Sequence, residues 1–236
     1  MLASRETMSL QQFSLFHETS EEKLQNWHRP YAALFTERGP VLDVGCGPGY
    51  MADVLTEMGV DSLGIDLDPA MVELSKKRGR NAVLGSQDAF PQVESGFGGV
   101  HISHVVEHLW GDELEKMLSN SLAVLRPSGI LIIRTPNWDN PFVRERLFWM
   151  DHTHKRPYPR ELLVRMLKDM GMLEVTSGCE PTGMNDTFVV AANPPFATND
   201  VPPLKFLRRD DGVSVIRRTK GRMRDRLQGF LGITTP

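Results

Sequence analysis

The sequence predicts an α/β fold: a doubly wound, mainly parallel sheet of seven strands that ends in an antiparallel hairpin. Three observations carry this. From Val41 onward, short apolar runs alternate with segments of helical period, the pattern of strand–helix–strand units that build a parallel sheet covered on both faces. The last two extended runs are separated by a turn-rich loop and no helix, which favours antiparallel pairing at the sheet edge. The first strand runs directly into "GCGPG", a turn of the kind that leads a strand into a helix beside a ligand.

In chain order, residues 1–40 are expected to form a helical cap, with Phe13, Phe16, Trp27, Tyr31 and Phe35 available to pack over the sheet. Val41 to Val44 is apolar enough for a buried strand, and Met51 to Met58 has helical period. Ser62 to Ile65 and Ala82 to Leu84 are strands flanking a helix over Ala70 to Lys77. A strand over Val100 to Ser103, a helix over Asp112 to Leu125 and a strand over Ile130 to Arg134 follow, then a helix over Arg160 to Met170. Leu173 to Thr176 and Thr187 to Ala191 make the terminal hairpin, closing a main domain over residues 41–195. Residues 196–236 are expected to be a linker and tail. "NPPFATNDVPP" is a linker by its prolines, and Met223, Leu227, Phe230 and Leu231 recur at helical spacing among Arg222, Arg224 and Arg226, as in a basic amphipathic helix.

The 236 residues, 40% hydrophobic, suit one sizeable domain with an appendage. The formal charge of -3 is uneven, because residues 205–226 hold nine Lys/Arg and three Asp/Glu. Cys46 and Cys179 are too few for a disulfide framework. Apolar runs fall short of the roughly 18 residues of a membrane span, and the N-terminus lacks the apolar stretch of a signal peptide. A soluble, cytoplasmic protein is expected, with peripheral contact to an anionic membrane surface as one role for the basic tail. The others are docking on its own acidic domain and contact with nucleic acid, which the lack of interleaved aromatics disfavours.

Glycines at 45, 47 and 49 let the chain turn sharply and let a ligand approach the backbone without a Cβ in the way. Asp66 follows the second strand 21 residues after Gly45, where a carboxylate can accept both hydroxyls of a ribose. Asp88, just past the third strand, is placed to accept from an adenine amino group. An adenosine-containing ligand follows. A dinucleotide enzyme would favour GxGxxG, whereas here the third glycine comes one residue early and Pro48 occupies the turn.

With these motifs the sequence resembles the class I S-adenosylmethionine-dependent methyltransferases. "VLDVGCGPGY", "GIDLDPAMV", "GSQDAF", "GVHISHVVEHL" and "LRPSGILIIRTPN" look like five of their motifs, in order and at the usual spacing over residues 41–191. The resemblance implies a Rossmann-like sheet with an antiparallel seventh strand. It also implies that Asp43, Gly45, Gly47 and Gly49 line the methionine end of the cofactor, Asp66 the ribose and Asp88 the adenine. Cys46, Leu67, Ala89 and His104 complete the cofactor set it suggests.

Methyl transfer from a sulfonium asks the protein for alignment and a dry pocket, and a base matters only for a protonated acceptor. Candidates are His104 and His108, which with Glu107 fall at i, i+3 and i+4 after the fourth strand, and His152 and His154 in "DHTHKRPYP". The segment carrying His104, Glu107 and His108 is similar to the ubiquinone-biosynthesis O-methyltransferases, where two carboxylates and a histidine are associated with a metal. If a divalent metal is used here, His104, Glu107 and His108 are its expected ligands, with His104 standing where that group has a carboxylate. The expected function is O-methylation of a small-molecule, glycan or lipid-linked acceptor. The alternatives are a non-catalytic nucleotide-sensing or scaffold protein that keeps the pocket, and an NAD-dependent oxidoreductase.

Overall fold

The computed structural model describes residues 20–181, 185–196 and 204–205. The tail helix expected around Met223 to Leu231, and the cap aromatics Phe13 and Phe16, lie outside the described residues.

Seven strands form one sheet: β1 (Val41–Val44), β2 (Ser62–Asp66), β3 (Ala82–Leu84), β4 (Phe97–Ser103), β5 (Leu125–Pro136), β6 (Leu173–Cys179) and β7 (Asp186–Ala192). Their spatial order is β3-β2-β1-β4-β5-β7-β6. β1 to β5 pair in parallel, and β7 is antiparallel to both β5 and β6. The expected fold class therefore holds, down to the terminal hairpin. The order reverses direction between β1 and β4, so a crevice opens beyond their C-terminal ends.

Alternation along the strands sends side chains to opposite faces. Leu42, Val100, Ile102, Leu131 and Ile133 face one way, into a core completed by Leu114, Met117 and Leu118 of α4 (Gly111–Val124) and by Leu163 and Leu167 of α5 (Arg160–Asp169). Val41, Ile130, Ile132 and Val190 face the other way. They meet Tyr31 of α1 (Glu21–Ala32), Phe35 just after it, and Met51, Val54 and Leu55 of α2 (Tyr50–Glu57). Between β2 and β3, α3 (Pro69–Lys77) starts on Asp68, whose side chain accepts from the Ala70 amide at 2.8 Å, with Pro69 at the first helical position.

The aromatic cap expected in residues 1–40 is represented by α1, where Tyr31 is fully buried and Trp27 is 37% exposed. β5 departs most from expectation, running from Leu125 rather than Ile130. Its pairing with β4 jumps from Phe97↔Leu125 to Gly99↔Ile130, so residues 126–129 stand against Gly98 alone. Pro127, Ser128 and Gly129 mark a break in the sequence, and the ladder resumes around them, with Ser128 at φ 63°.

Gly98 sits where β4 passes under the chain entering β1. A Cβ added there would lie 1.7 Å from the Arg38 carbonyl oxygen, which belongs to backbone that cannot swing aside. We expect Gly98→Ala to lower the melting temperature by roughly 5 °C or more, as overpacking in a domain of this size does, measured by circular dichroism.

Candidate functional site

A cavity of about 460 Å³ opens at the C-terminal ends of β1, β2 and β4, roofed by Leu24, Trp27 and His28 of α1. Its first end is built by the glycine turn. Gly45 has φ 70°, and a Cβ there would come within 2.3 Å of the Val105 side chain, so only glycine lets this turn close against the loop after β4. The Gly45 and Cys46 amides both donate to the Ile65 carbonyl, at 2.8 and 3.0 Å, and clamp the turn to β2. The Asp66 carboxylate then accepts from the Gly47 amide at 2.8 Å and from the Asp68 amide at 2.9 Å. Burial, the larger influence, raises the Asp66 pKa above its ordinary value, and the two amides pull the other way.

Deeper in, Asp43 and His101 are neighbours in the β1–β4 register, both buried, with Asp43 Oδ1 and His101 Nδ1 2.7 Å apart. His28 reaches the same wall from α1, its ring edge-on to that of His101. Cys46 lines the cavity but packs its sulfur against Gly64. Burial, assisted by Asp43 and Asp66, raises its thiol pKa so far that it stays protonated.

The other end follows β4. His104 adopts φ 54°, donates from Nδ1 to Glu107 Oε1 at 3.0 Å and places Nε2 3.6 Å from Asp186. Burial alone would lower its pKa, but Asp186 and then Glu107 overcome that and lift it to about 10. Because the ring is 40% exposed, water tempers this pull without reversing it. Glu107 is fully buried; its second oxygen accepts from Thr135 Oγ1 at 3.0 Å, and its backbone carbonyl holds the Lys155 amide at 2.8 Å. His108 also lines the cavity, and the effects on it run the other way: burial, the largest, lowers its pKa despite Glu107. His108 Nδ1 lies 3.0 Å from Thr153 Oγ1, which in turn donates to Asp151 Oδ1 at 2.6 Å.

Of the residues singled out from sequence, Asp43, Gly45, Cys46, Gly47, Asp66, Leu67, His104 and His108 line this one cavity. The rest do not. Gly49, at φ 90°, precedes α2, with its missing side chain directed at Ser75 Oγ. Asp88 is exposed and pairs with Lys116 Nζ at 2.5 Å, because the tight Ser86↔Ala89 bridge turns it and Ala89 outward and leaves Ser86 and Gln87 on the cavity wall. His152 is exposed. His154 braces its loop instead, with Nδ1 donating to the Phe148 carbonyl at 2.7 Å and its ring packed on Phe148 and His108. The side chains that gather here differ from the ligand set expected if a metal is used. His104 Nδ1 is occupied by Glu107 itself, and among the described residues the metal-binding atoms that gather within 4.8 Å of one another belong to Glu107, His108 and His154.

His28, His101, Gln87, Arg134 and Lys155 line the cavity without having been singled out as cofactor or catalytic residues. For His101 a signal existed, a polar residue inside an otherwise apolar strand. His28 gives no comparable signal, because it depends on where α1 docks.

A family model described as "Methyltransferase domain" matches residues 16–177. The chain belongs to the class I S-adenosylmethionine-dependent methyltransferases. A probable S-adenosylmethionine-dependent methyltransferase of Mycolicibacterium smegmatis is 34% identical over 41% of this chain and 38% of its own length. A mitochondrial ubiquinone biosynthesis O-methyltransferase of Mus musculus is 31% identical over 41% of this chain and 28% of its own length. The chain thus spans well under half of either relative. The crystal structure of a SAM-dependent methyltransferase from Archaeoglobus fulgidus superposes with a TM-score of 0.67 at 24% identity, over 77% of this chain and 98% of that one.

The cavity of this methyltransferase suits its cofactor. Each Asp66 oxygen accepts one backbone amide and keeps a further acceptor position, which matches two vicinal ribose hydroxyls. A Cβ on Gly47 would have no neighbour within 4 Å, so the backbone there lies open to a ligand.

Two outcomes are expected. Asp66→Ala weakens S-adenosylmethionine binding more than tenfold in calorimetric titration, through loss of the bidentate acceptor. His104 has a folded-state pKa raised above its unfolded value near 6.5, so its contribution to stability is complete below that pH and is lost as pH rises through about 10. The melting temperature therefore falls between pH 7 and pH 10, with a smaller slope in His104→Gln.

Proposed function

We propose that the protein methylates a hydroxyl oxygen of a small-molecule, glycan or lipid-linked acceptor, with His108 as the general base. The observation that carries this reading is a cavity-lining imidazole kept neutral and fixed in one tautomer. Thr153 Oγ1 gives its proton to Asp151, so it accepts from His108 Nδ1–H, and the lone pair of the ring resides on Nε2. His104 is unsuited to the same task, because Asp186 and Glu107 keep it protonated at neutral pH.

When bound, S-adenosylmethionine supplies a methyl group on a sulfonium whose positive charge disappears on transfer. The residues of the chain do the rest. Asp66 and the glycine turn hold the nucleoside, and the apolar Val105, Leu109 and Met117 beside His108 exclude water from the acceptor. His108 Nε2 takes the hydroxyl proton, while Asp151 steadies the resulting imidazolium through Thr153. Lys155, tied to Glu113 at 2.8 Å and lying 6.0 Å from the Trp110 ring, borders the acceptor mouth. An oxygen acceptor is also in keeping with the ubiquinone biosynthesis O-methyltransferase among the relatives. Among the described residues no helix is long and apolar enough to cross a membrane.

The test is release of S-adenosylhomocysteine with a panel of phenols, sugars and lipid-linked sugars. His108→Ala is expected to lower turnover by roughly 10² to 10⁴ while cofactor affinity stays constant. The acid limb of the wild-type pH–rate profile should lie below about 6.5, the ordinary imidazole value, since the His108 pKa is lowered. Equal losses of turnover and cofactor affinity would instead make His108 structural.

A further inference from the structure

Two buried nitrogens at the cavity wall, Nδ1 of His28 and Nε2 of His101, have no hydrogen-bond partner among the described residues. Native folds leave few buried polar atoms bare, because each forfeits its bonds to water; a pair of them at one cavity wall points to a ligand group that completes both. The two residues come from α1 and β4, yet their rings meet edge to face with centroids 5.5 Å apart. Behind His101, the Asp43 carboxylate can only accept, so Nδ1–H donates to it and Nε2 is the ring nitrogen left facing the ligand, an acceptor in the tautomer this bond selects. Burial above all lowers the His28 pKa well below its ordinary value, with the nearby charges of Arg134 and His104 acting in the same direction.

The surrounding charge selects the ligand group. The carboxylates that line the cavity are Asp43, Asp66, Asp68 and Glu113, against the cations Arg134, His104 and Lys155, and Asp186, Glu107, Glu180 and Glu113 already pair with those cations. The Arg134 guanidinium gives Nε and Nη2 to Glu180 and Asp186, so two carboxylates already balance its charge. An ammonium group, with three donors and no acceptor, complements this wall. We infer that His28 and His101 form an acceptor pair for the α-ammonium group of the methionine moiety of the cofactor, with Asp43 fixing the His101 tautomer. This rests on the cofactor reading of the cavity given above.

Calorimetric titration of the full chain with three probes tests it: S-adenosylhomocysteine, its deaminated analogue that keeps the carboxylate, and methylthioadenosine, which lacks the amino-acid end. The wild type should bind the deaminated analogue at least tenfold more weakly than S-adenosylhomocysteine. His28→Phe keeps an aromatic ring against His101 without its nitrogens, and His101→Asn keeps a donor for Asp43 without the distant acceptor. Each should weaken S-adenosylhomocysteine at least tenfold, erase the preference for the amino group and leave methylthioadenosine within twofold. If His101→Asn does not fold, His28→Phe and the wild-type comparison decide. Unchanged S-adenosylhomocysteine affinity in folded variants, or equal weakening of all three probes, overturns the inference. A wild type that binds methylthioadenosine without preferring the amino group overturns this inference alone. One that binds none of the three overturns the cofactor reading, and this inference with it.

Discussion

The buried guanidinium of Arg134 is the interaction on which the rest of the site depends. It sits in β5 at 3% exposure, where an unpaired charge would be severely unfavourable, and it is stabilised by two carboxylates from the far edge of the sheet. Glu180 takes its Nε at 2.5 Å and Asp186 takes its Nη2 at 2.6 Å. Tyr31 of α1 donates to the same Glu180 at 2.6 Å, so the roof helix is anchored through this cluster. Removing one partner would strand the others, which makes the arrangement all-or-none. From it the chain of contacts runs through Asp186 to His104, and from His104 to Glu107, Thr135 and the loop that carries Lys155.

This cluster explains why two histidines four residues apart behave oppositely. His104 lies between carboxylates from β7 and from its own loop and holds a proton. His108, one turn further, meets the Thr153 hydroxyl at Nδ1 and the ring of His154 rather than a carboxylate, and burial lowers its pKa. One imidazole thus serves as a fixed charge, and the other takes the part of base in the reaction we propose.

Much of the fold was legible because its signals are local. β1 and β3 match their apolar runs residue for residue, and the helices start and stop within a residue or two of their periodic segments. The sequence marks only the second half of β5, because Pro127 and Gly129 look like breakers, and only pairing with β4 on one side and β7 on the other shows that the ladder resumes around them. At the site, Asp66 was legible from its place at a strand end after the glycine turn. Asp88 was not, because spacing cannot say which residue of a tight turn faces inward, and Lys116 holds Asp88 outward. The charge state of His104 was beyond sequence reading for a similar reason: its deciding partner, Asp186, arrives from β7 and is remote in the chain. His28 likewise owes its place to the docking of α1 through Tyr31.

The pocket is assembled from two stretches of chain that are far apart in the sequence. The glycine turn and the strand ends form its floor, while Leu24, Trp27 and His28 form a ceiling encoded upstream of the whole sheet. Sequence drift in that twelve-residue helix can therefore reshape the doorway while the nucleoside seat is inherited intact. A scaffold divided in this way can diversify in the molecules it admits through the positions of α1 that do not reach the cofactor, such as Trp27, while His28 stays fixed.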